Sequence, residues 1–251
     1  MRVVALYDIH GNVRALEAVL MEVSRLAPDV ILVGGDVALG PMPRETLELL
    51  AERGDRVRWI RGNCDREMVE AARGASEPRG PWGARVSWAA ARCTPAQLEL
   101  LAQLPTTAAL AIDGLGEVLF CHGSPRRDDE ILTRITPEER LRPALAGFDQ
   151  PLVVSGHTHV QYDRRALGRR LVNPGSVGMA YASEPGARWA VFGPDVSLRA
   201  TPFDVERTIA DVRAGGFPDP DEFIGKYLAR SPDPDEATRF FESMAASPTR
   251  S

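Results

Sequence analysis

The chain has 251 residues, of which 44% are hydrophobic, enough for one large domain or two small ones with a real core. Its formal net charge of -5 offers no general attraction to a phosphate backbone, so no stable nucleic-acid binding is expected. Three cysteines, Cys64, Cys93 and Cys121, are too few and too odd in number for a disulfide framework or a zinc ribbon, and they suit a reducing compartment.

The chain opens directly on an apolar stretch, Arg2 to Tyr7, that reads as a strand. It shows no basic start, apolar run and small-residue cleavage site of a signal peptide, and no segment long and apolar enough to span a bilayer. A cytoplasmic location without membrane contact is therefore expected. Val13 to Ala27 reads as a helix, with Val13, Leu16, Leu20, Val23 and Ala27 on one face. The unit then repeats: strand Val30 to Val33, helix Pro43 to Arg53, strand Val57 to Ile60. Strands alternating with helices predict a parallel sheet covered on both faces.

From Arg66 to about Pro105 the pattern is helical, broken at EPRGPWG, with a TPAQ capping box at Thr94 to Gln97. This segment is expected to be a helical cap insertion, with Trp82 and Trp88 as candidate substrate contacts or, more simply, as packing residues. Thr107 to Ile112 and Val118 to Cys121 flank a DGLG turn and predict a hairpin. Thr136 to Glu139 (TPEE) predicts a second capped helix start, with Gly147 as its stop. Gln161 to Leu167, Arg169 to Val172, Arg188 to Phe192 and Ser197 to Thr201 read as antiparallel strands, with NPGS (173–176) as a turn between two of them. From Phe203 onward the pattern is a helical tail that packs outside and frays at its end. The expected division is a main domain over 1–204, containing the 66–105 insertion, and a C-terminal helical extension over 205–251.

The chemistry lies at the strand ends. The four histidines, His10, His122, His157 and His159, all fall in short glycine-rich stretches: YDIHGN, FCHGSP and VVSGHTH. Asp8 shares the first of these, Asp36 ends GGD, and Asn63 lies in RGNCD. Each stretch follows an apolar strand, and the carboxyl ends of strands in open α/β sheets form one binding edge, so five distant stretches can converge. Mixed carboxylate, imidazole and amide donors suit Mn, Fe, Co, Ni or Zn, and seven donors are too many for one tetrahedral ion. Two divalent ions per chain are therefore expected, able to support in-line displacement at phosphorus. There is no GxxxxGK[ST] loop, dinucleotide fingerprint, deaminase motif or GxSxG elbow.

The ordered set DIHGN, GGD, GNCD, CHGS, GHTH and NPGS resembles the calcineurin-like metallophosphoesterases, in particular their small bacterial and archaeal phosphodiesterases, from Met1 to about Pro202. That resemblance implies a two-sheet αββα sandwich. It also implies that Asp8, His10 and His159 bind one metal, that Asn63, His122 and His157 bind a second, and that Asp36 bridges them. Asp36, Asn63 and His122 would then act in catalysis around a hydroxide held by both ions. The substrate expected is a small phosphate ester, most naturally a phosphodiester. A phosphatase, a nucleotide pyrophosphohydrolase or a non-catalytic metal-binding scaffold like the retromer subunit are the alternatives.

One position departs from the pattern. Many members carry histidine after the asparagine, and it looks like the group that protonates the leaving oxygen; here it is Cys64. A thiol beside two cations would tend to ionise and would be a poor acid. Arg126 and Arg127, which follow HGSP directly, are the candidate substrate-binding residues together with Cys64; Arg14 and Arg66 also adjoin motif loops.

Overall fold

The computed structural model describes residues 1–76, 79–230 and 232–246. Glu77 and Pro78 of the EPRGPWG stretch, and the end of the tail where fraying is expected, lie outside the described residues. Strand β1 (Val3–Leu6), helix α1 (Val13–Leu26), β2 (Val30–Val33), α2 (Pro43–Ala51) and β3 (Val57–Trp59) form the predicted alternating unit. Helices α3 (Asn63–Ala72), α4 (Gly80–Arg92) and α5 (Pro95–Ala102) follow, then the hairpin β4 (Thr107–Ile112) and β5 (Gly116–Cys121). After α6 (Glu138–Ala144) come β6 (Leu152–Val154), β7 (Tyr162–Ala166), β8 (Arg169–Asn173), β9 (Ala187–Phe192) and β10 (Val196–Thr201). The chain ends in α7 (Val205–Ala214), α8 (Pro220–Phe223) with a π-helical turn over Ile224–Leu228, and α9 (Pro234–Ala246). Among the described residues, no helix is long and apolar enough to cross a membrane.

These strands form two five-stranded mixed sheets, ordered β10-β9-β1-β2-β3 and β4-β5-β6-β8-β7. β1 pairs in parallel with β2, and β2 with β3, as the alternation predicts. The parallel run ends at β1, which β9 joins antiparallel, and in the other sheet the predicted β4–β5 hairpin joins β6 through a parallel β5–β6 contact. The strands after GHTH do not make one antiparallel run. β7 pairs antiparallel with β8, and β8 pairs in parallel with β6, in one sheet, while β9 and β10 cross to the other.

The alternation of side chains along β1 explains why all four of its residues are apolar. Val3 and Ala5 face the second sheet, in a core shared with Leu32, Phe120, Val154, Val172 and Phe192. Val4 and Leu6 face outward into a second core under α1, with Leu16, Val19, Ile31 and Val33. A strand buried on both faces has no place for a polar residue. Each fully buried Val or Leu contributes about 1.5–3 kcal/mol. Phe120 and Phe192 meet edge-to-face across the sheets, with centroids 5.5 Å apart. A third core, including Leu119, Val153 and Leu171, lies under α6 on the far face. The result is an αββα sandwich.

Segment 66–105 is laid into the core under α1, since Met68, Val69, Val86, Ala89, Ala90 and Leu101 are buried there with α1 and β2. The TPAQ box forms as predicted: the Gln97 N–H donates to Thr94 Oγ1 at 3.2 Å and the Thr94 N–H to Gln97 Oε1 at 2.9 Å. TPEE does not cap α6. Pro137 is the N-cap, and Thr136 Oγ1 accepts from the Thr133 N–H at 2.8 Å and donates to Glu242 of α9. The hydroxyl is spent on a tertiary contact. α6 also stops earlier than Gly147, at Ala144, one residue after Pro143.

Candidate metal centre

Every motif stretch begins where a strand ends, and all of them meet on one edge of the sandwich. Asp8 follows β1, Asp36 follows β2, His122 follows β5, and His157 with His159 follows β6. Asn63 follows β3 and is the first residue of α3. The backbone is strained at this edge. Asp8, His10, Asp36, His157 and His159 hold φ of 52°, 49°, 52°, 66° and 57°, a left-handed region costing about 1–3 kcal/mol per non-glycine residue and found mainly at functional sites.

Packing and hydrogen bonds hold that strain. The Asp8 and His10 N–H groups donate to Gly35 and Asp36 carbonyls at 3.1 and 3.0 Å, joining the first two motif loops. The loops approach so closely that a Cβ on Gly62 would lie 2.1 Å from Asp36 Oδ1, and one on Gly156 would lie 2.7 Å from Asp8 Oδ2. Only glycine fits at these two positions.

The predicted ligands converge. Three overlapping triads, Asp8/His10/His159, His10/Asp36/Cys64 and Asp36/His122/His157, each bring their donor atoms within 4.8 Å of one another. His159 Nε2 lies 3.3 Å from Asp8 Oδ1, and His122 Nε2 lies 3.3 Å from Asp36 Oδ2 and 3.7 Å from Asp8 Oδ1. The Nδ1 atoms of His10, His122 and His159 lie 3.0, 2.8 and 2.9 Å from the carbonyls of Leu39, Gly34 and Met179. A carbonyl accepts only, so Nδ1 carries the proton and the Nε2 lone pair points inward.

The donors fit a cation. His10 Nε2 and His159 Nε2 face each other at 3.1 Å, and two lone pairs at that distance require a positive charge between them. Asp8 Oδ1, Asn63 Oδ1 and His122 Nε2 are buried with no hydrogen-bond partner among the described residues. Such orphans cost about 1–3 kcal/mol each unless something coordinates them. In the metal-free protein a proton partly serves: although burial works against charge on His122, Asp36 and Asp8 push it up to about 10. Burial and the neighbouring His122 charge lower His157 to about 4, which keeps its ring neutral and ready to ligate. Against the effect of burial, the charge and hydrogen bond of His122 hold the Asp36 carboxyl far below its ordinary range.

A calcineurin-like phosphoesterase superfamily domain matches residues 1–192, a span that contains the whole cluster. The chain belongs to that superfamily, which is metal-dependent. It is similar to the crystal structure of a metallophosphoesterase from Sphaerobacter thermophilus, with 29% identity and a TM-score of 0.72 over 91% of this chain and 98% of that one. The fold is also that of hypothetical protein PH1004 from Pyrococcus horikoshii OT3, at 21% identity and a TM-score of 0.78, over 90% of this chain and 98% of that one. A putative diadenosine tetraphosphatase shares the fold at 21% identity and a TM-score of 0.55, over 80% of this chain and 93% of that one. No curated protein matches the chain with significance.

Of the candidate substrate residues, Cys64 lies within the cluster and the arginines stand apart from it. Cys64 is buried, with its backbone N–H and its thiol both directed at the Asp36 carboxylate at 2.9 Å, so it faces a ligand and presents nothing to a substrate. In the metal-free protein burial and the Asp36 charge push the thiol up, and it is protonated there. Arg126 is paired with Glu130, and Arg127 with Asp129 at 2.9 Å. Among the described residues neither touches the cluster; their charge is taken by acids in their own loop. Arg14 is similarly engaged by Asp211, and Arg66 by Asp128. Trp88 packs edge-to-face on Phe217, the simpler of its two readings, whereas Trp82 Nε1 donates to Glu67 at 3.0 Å.

Supporting residues were missed by sequence reasoning. Asp65 accepts the N–H groups of Asp36, Val37 and Gly62 at 2.9, 3.0 and 2.9 Å, clamping two motif loops together. Burial and the Asp36 charge push its carboxyl up to about 6. Glu67 accepts from Asn63 Nδ2 at 3.3 Å, which turns Asn63 Oδ1 away and leaves it for the cluster. NPGS is more than a turn. Asn173 Nδ2 donates to Gly156 O at 2.9 Å, and Ser176 Oγ donates to Asp8 O at 2.7 Å, so the stretch ties the GHTH loop to the first motif. The signal was present, because NPGS and the Asp of GNCD stand in the motif series, but their partners are distant in sequence.

Proposed function

We propose that this chain is a dinuclear metallophosphoesterase acting on phosphodiesters. The observation that carries the reading is the inward set of unpartnered donors, Asp8 Oδ1, Asn63 Oδ1 and His122 Nε2, together with the facing His10 and His159 nitrogens. Asp8, His10 and His159 would hold one divalent ion, Asn63, His122 and His157 a second, and Asp36 both; Mn, Fe, Co, Ni and Zn match these donors. Two such ions supply Lewis acidity for in-line attack at phosphorus.

The protein's own part is preorganisation. Backbone carbonyls fix three imidazole tautomers, Asp65 sets the Asp36 and Asn63 loops, and Glu67 sets the amide of Asn63. Cys64 donates its proton to Asp36 and is too buried to deliver one to a departing oxygen. Esters whose leaving groups need no protonation are therefore favoured, namely activated diesters over unactivated alkyl monoesters. The test is hydrolysis of an activated aryl phosphodiester and its matching monoester by metal-stripped protein, before and after adding Mn, Ni or Zn. Metal-restored diester cleavage is the expected result. Stoichiometric metal binding without turnover of either ester would point to a scaffold instead, and equal or faster turnover of an alkyl monoester would overturn the diester preference.

A further inference from the structure

The C-terminal extension lies beyond the 1–192 family match, yet it reaches the candidate ligand His159 by two routes. In the first, the Tyr181 ring stacks on the His159 imidazole, with centroids 5.4 Å apart and planes at 24°. Tyr181 is itself walled by the extension: Tyr227 and Phe241 lie 6.4 and 6.0 Å from it, centroid to centroid. In the second, the Met179 carbonyl takes the His159 Nδ1–H, while the Met179 side chain is buried with Val212, Phe217, Phe223, Ile224 and Leu228. The Tyr181 N–H closes the arrangement by donating to His159 O at 3.2 Å.

The extension is anchored at both ends. Buried Arg85 of α4 binds Glu222 at 2.8 Å, and Glu242 of α9 accepts from Thr133, Thr136 and Arg140. The torsion that rotates an imidazole about its Cβ–Cγ bond is broad and roughly two-fold, so one hydrogen bond does not lock it. A stacked ring on one face supplies the missing constraint. His10, by contrast, is held by the Leu39 carbonyl inside the first motif region and owes nothing to the extension.

We propose that the C-terminal extension is a working part of the metal centre, with Tyr181 as the positioning residue that fixes the His159 ring. The inference rests on the reading of His159 as a ligand. Mn titration of the full-length protein, followed by electron paramagnetic resonance, would compare wild type with Tyr181→Ala, Tyr181→Phe and Phe241→Ala. Loss of a group that orients a ligand costs about tenfold to a hundredfold in metal affinity. That loss is expected in Tyr181→Ala for one ion only, with Tyr181→Phe close to wild type and Phe241→Ala in between. Unchanged affinities in Tyr181→Ala, or equal weakening of both ions, would overturn the inference. Imidazole ¹⁵N spectra of the metal-free proteins read the His159 ring directly, a single Nδ1–H tautomer in wild type and a mixture in Tyr181→Ala. An unchanged spectrum sinks this inference alone, whereas failure of the wild type to take up metal would overturn the proposed function and this inference with it.

Discussion

The two halves of the candidate centre are held by different means. Around Asn63, His122 and His157 the support is polar: Asp65 and Glu67 of α3 bind the Asp36, Gly62 and Asn63 groups, and the Gly34 carbonyl fixes His122. Around His159 the support is largely aromatic and comes from far along the chain, through Tyr181, Tyr227 and Phe241. The polar half resists displacement because moving it would strip buried N–H groups of their acceptor. The aromatic half resists only through packing, which loosens gradually. Failure of the first should therefore be abrupt and failure of the second graded.

Asp36 is common to both halves, and its replacement should break them together. Asp36→Asn removes a charge and an acceptor on which both the Cys64 N–H and thiol converge, and roughly a thousandfold loss of metal-restored diester hydrolysis is expected. Retention of more than a tenth of the activity would mean that Asp36 is not shared.

Asp65→Asn separates the halves. Its amide can satisfy only part of a set of three buried N–H donors, so about 3 kcal/mol of stability should be lost in urea unfolding of the metal-free protein. Binding of one ion should fall with it while the other is retained.

A third difference is in pH dependence. A metal needs His122 neutral, whereas in the metal-free protein burial is outweighed by Asp36 and Asp8 and the ring titrates at about 10. Uptake of one ion should thus release a proton, and its affinity should rise about tenfold per pH unit until pH 10, as calorimetry in buffers of different ionisation enthalpy would show. His157, lowered to about 4 by burial and the His122 charge, is already neutral across that range and adds no slope. A flat profile would mean that His122 is not a ligand.

The smallest effect should come from Cys64→Ala. The thiol faces Asp36 and no substrate, so turnover should change by only a few-fold, with Asp36 keeping the Cys64 backbone N–H as a donor. A loss as large as that of Asp36→Asn would restore Cys64 to the reaction.

Much of the architecture was legible because it is local. β1, α1, β2, β3, the β4–β5 hairpin and the TPAQ cap follow from apolar periodicity and turn chemistry, and the structure places them within a few residues of where the pattern does. The seven candidate ligands were legible for a related reason: a polar residue that directly follows a fully apolar strand has few structural uses, and strand ends share one edge. What the pattern did not reveal depends on partners far away in sequence. The Thr136 hydroxyl could cap a helix or meet Glu242, and nothing between positions 136 and 139 decides which. The outward charges of Arg126 and Arg127 looked free for a substrate until Glu130 and Asp129 were found against them.

The sequence by itself thus determined which residues are the candidate ligands and that they gather at one edge, since periodicity and strand ends are properties of consecutive positions. Only the tertiary structure decided how those residues are oriented. Asp65 reaching Asp36, Ser176 reaching Asp8 and Tyr181 lying on His159 are contacts across loops or between strands of different sheets, and a one-dimensional pattern does not encode their distances.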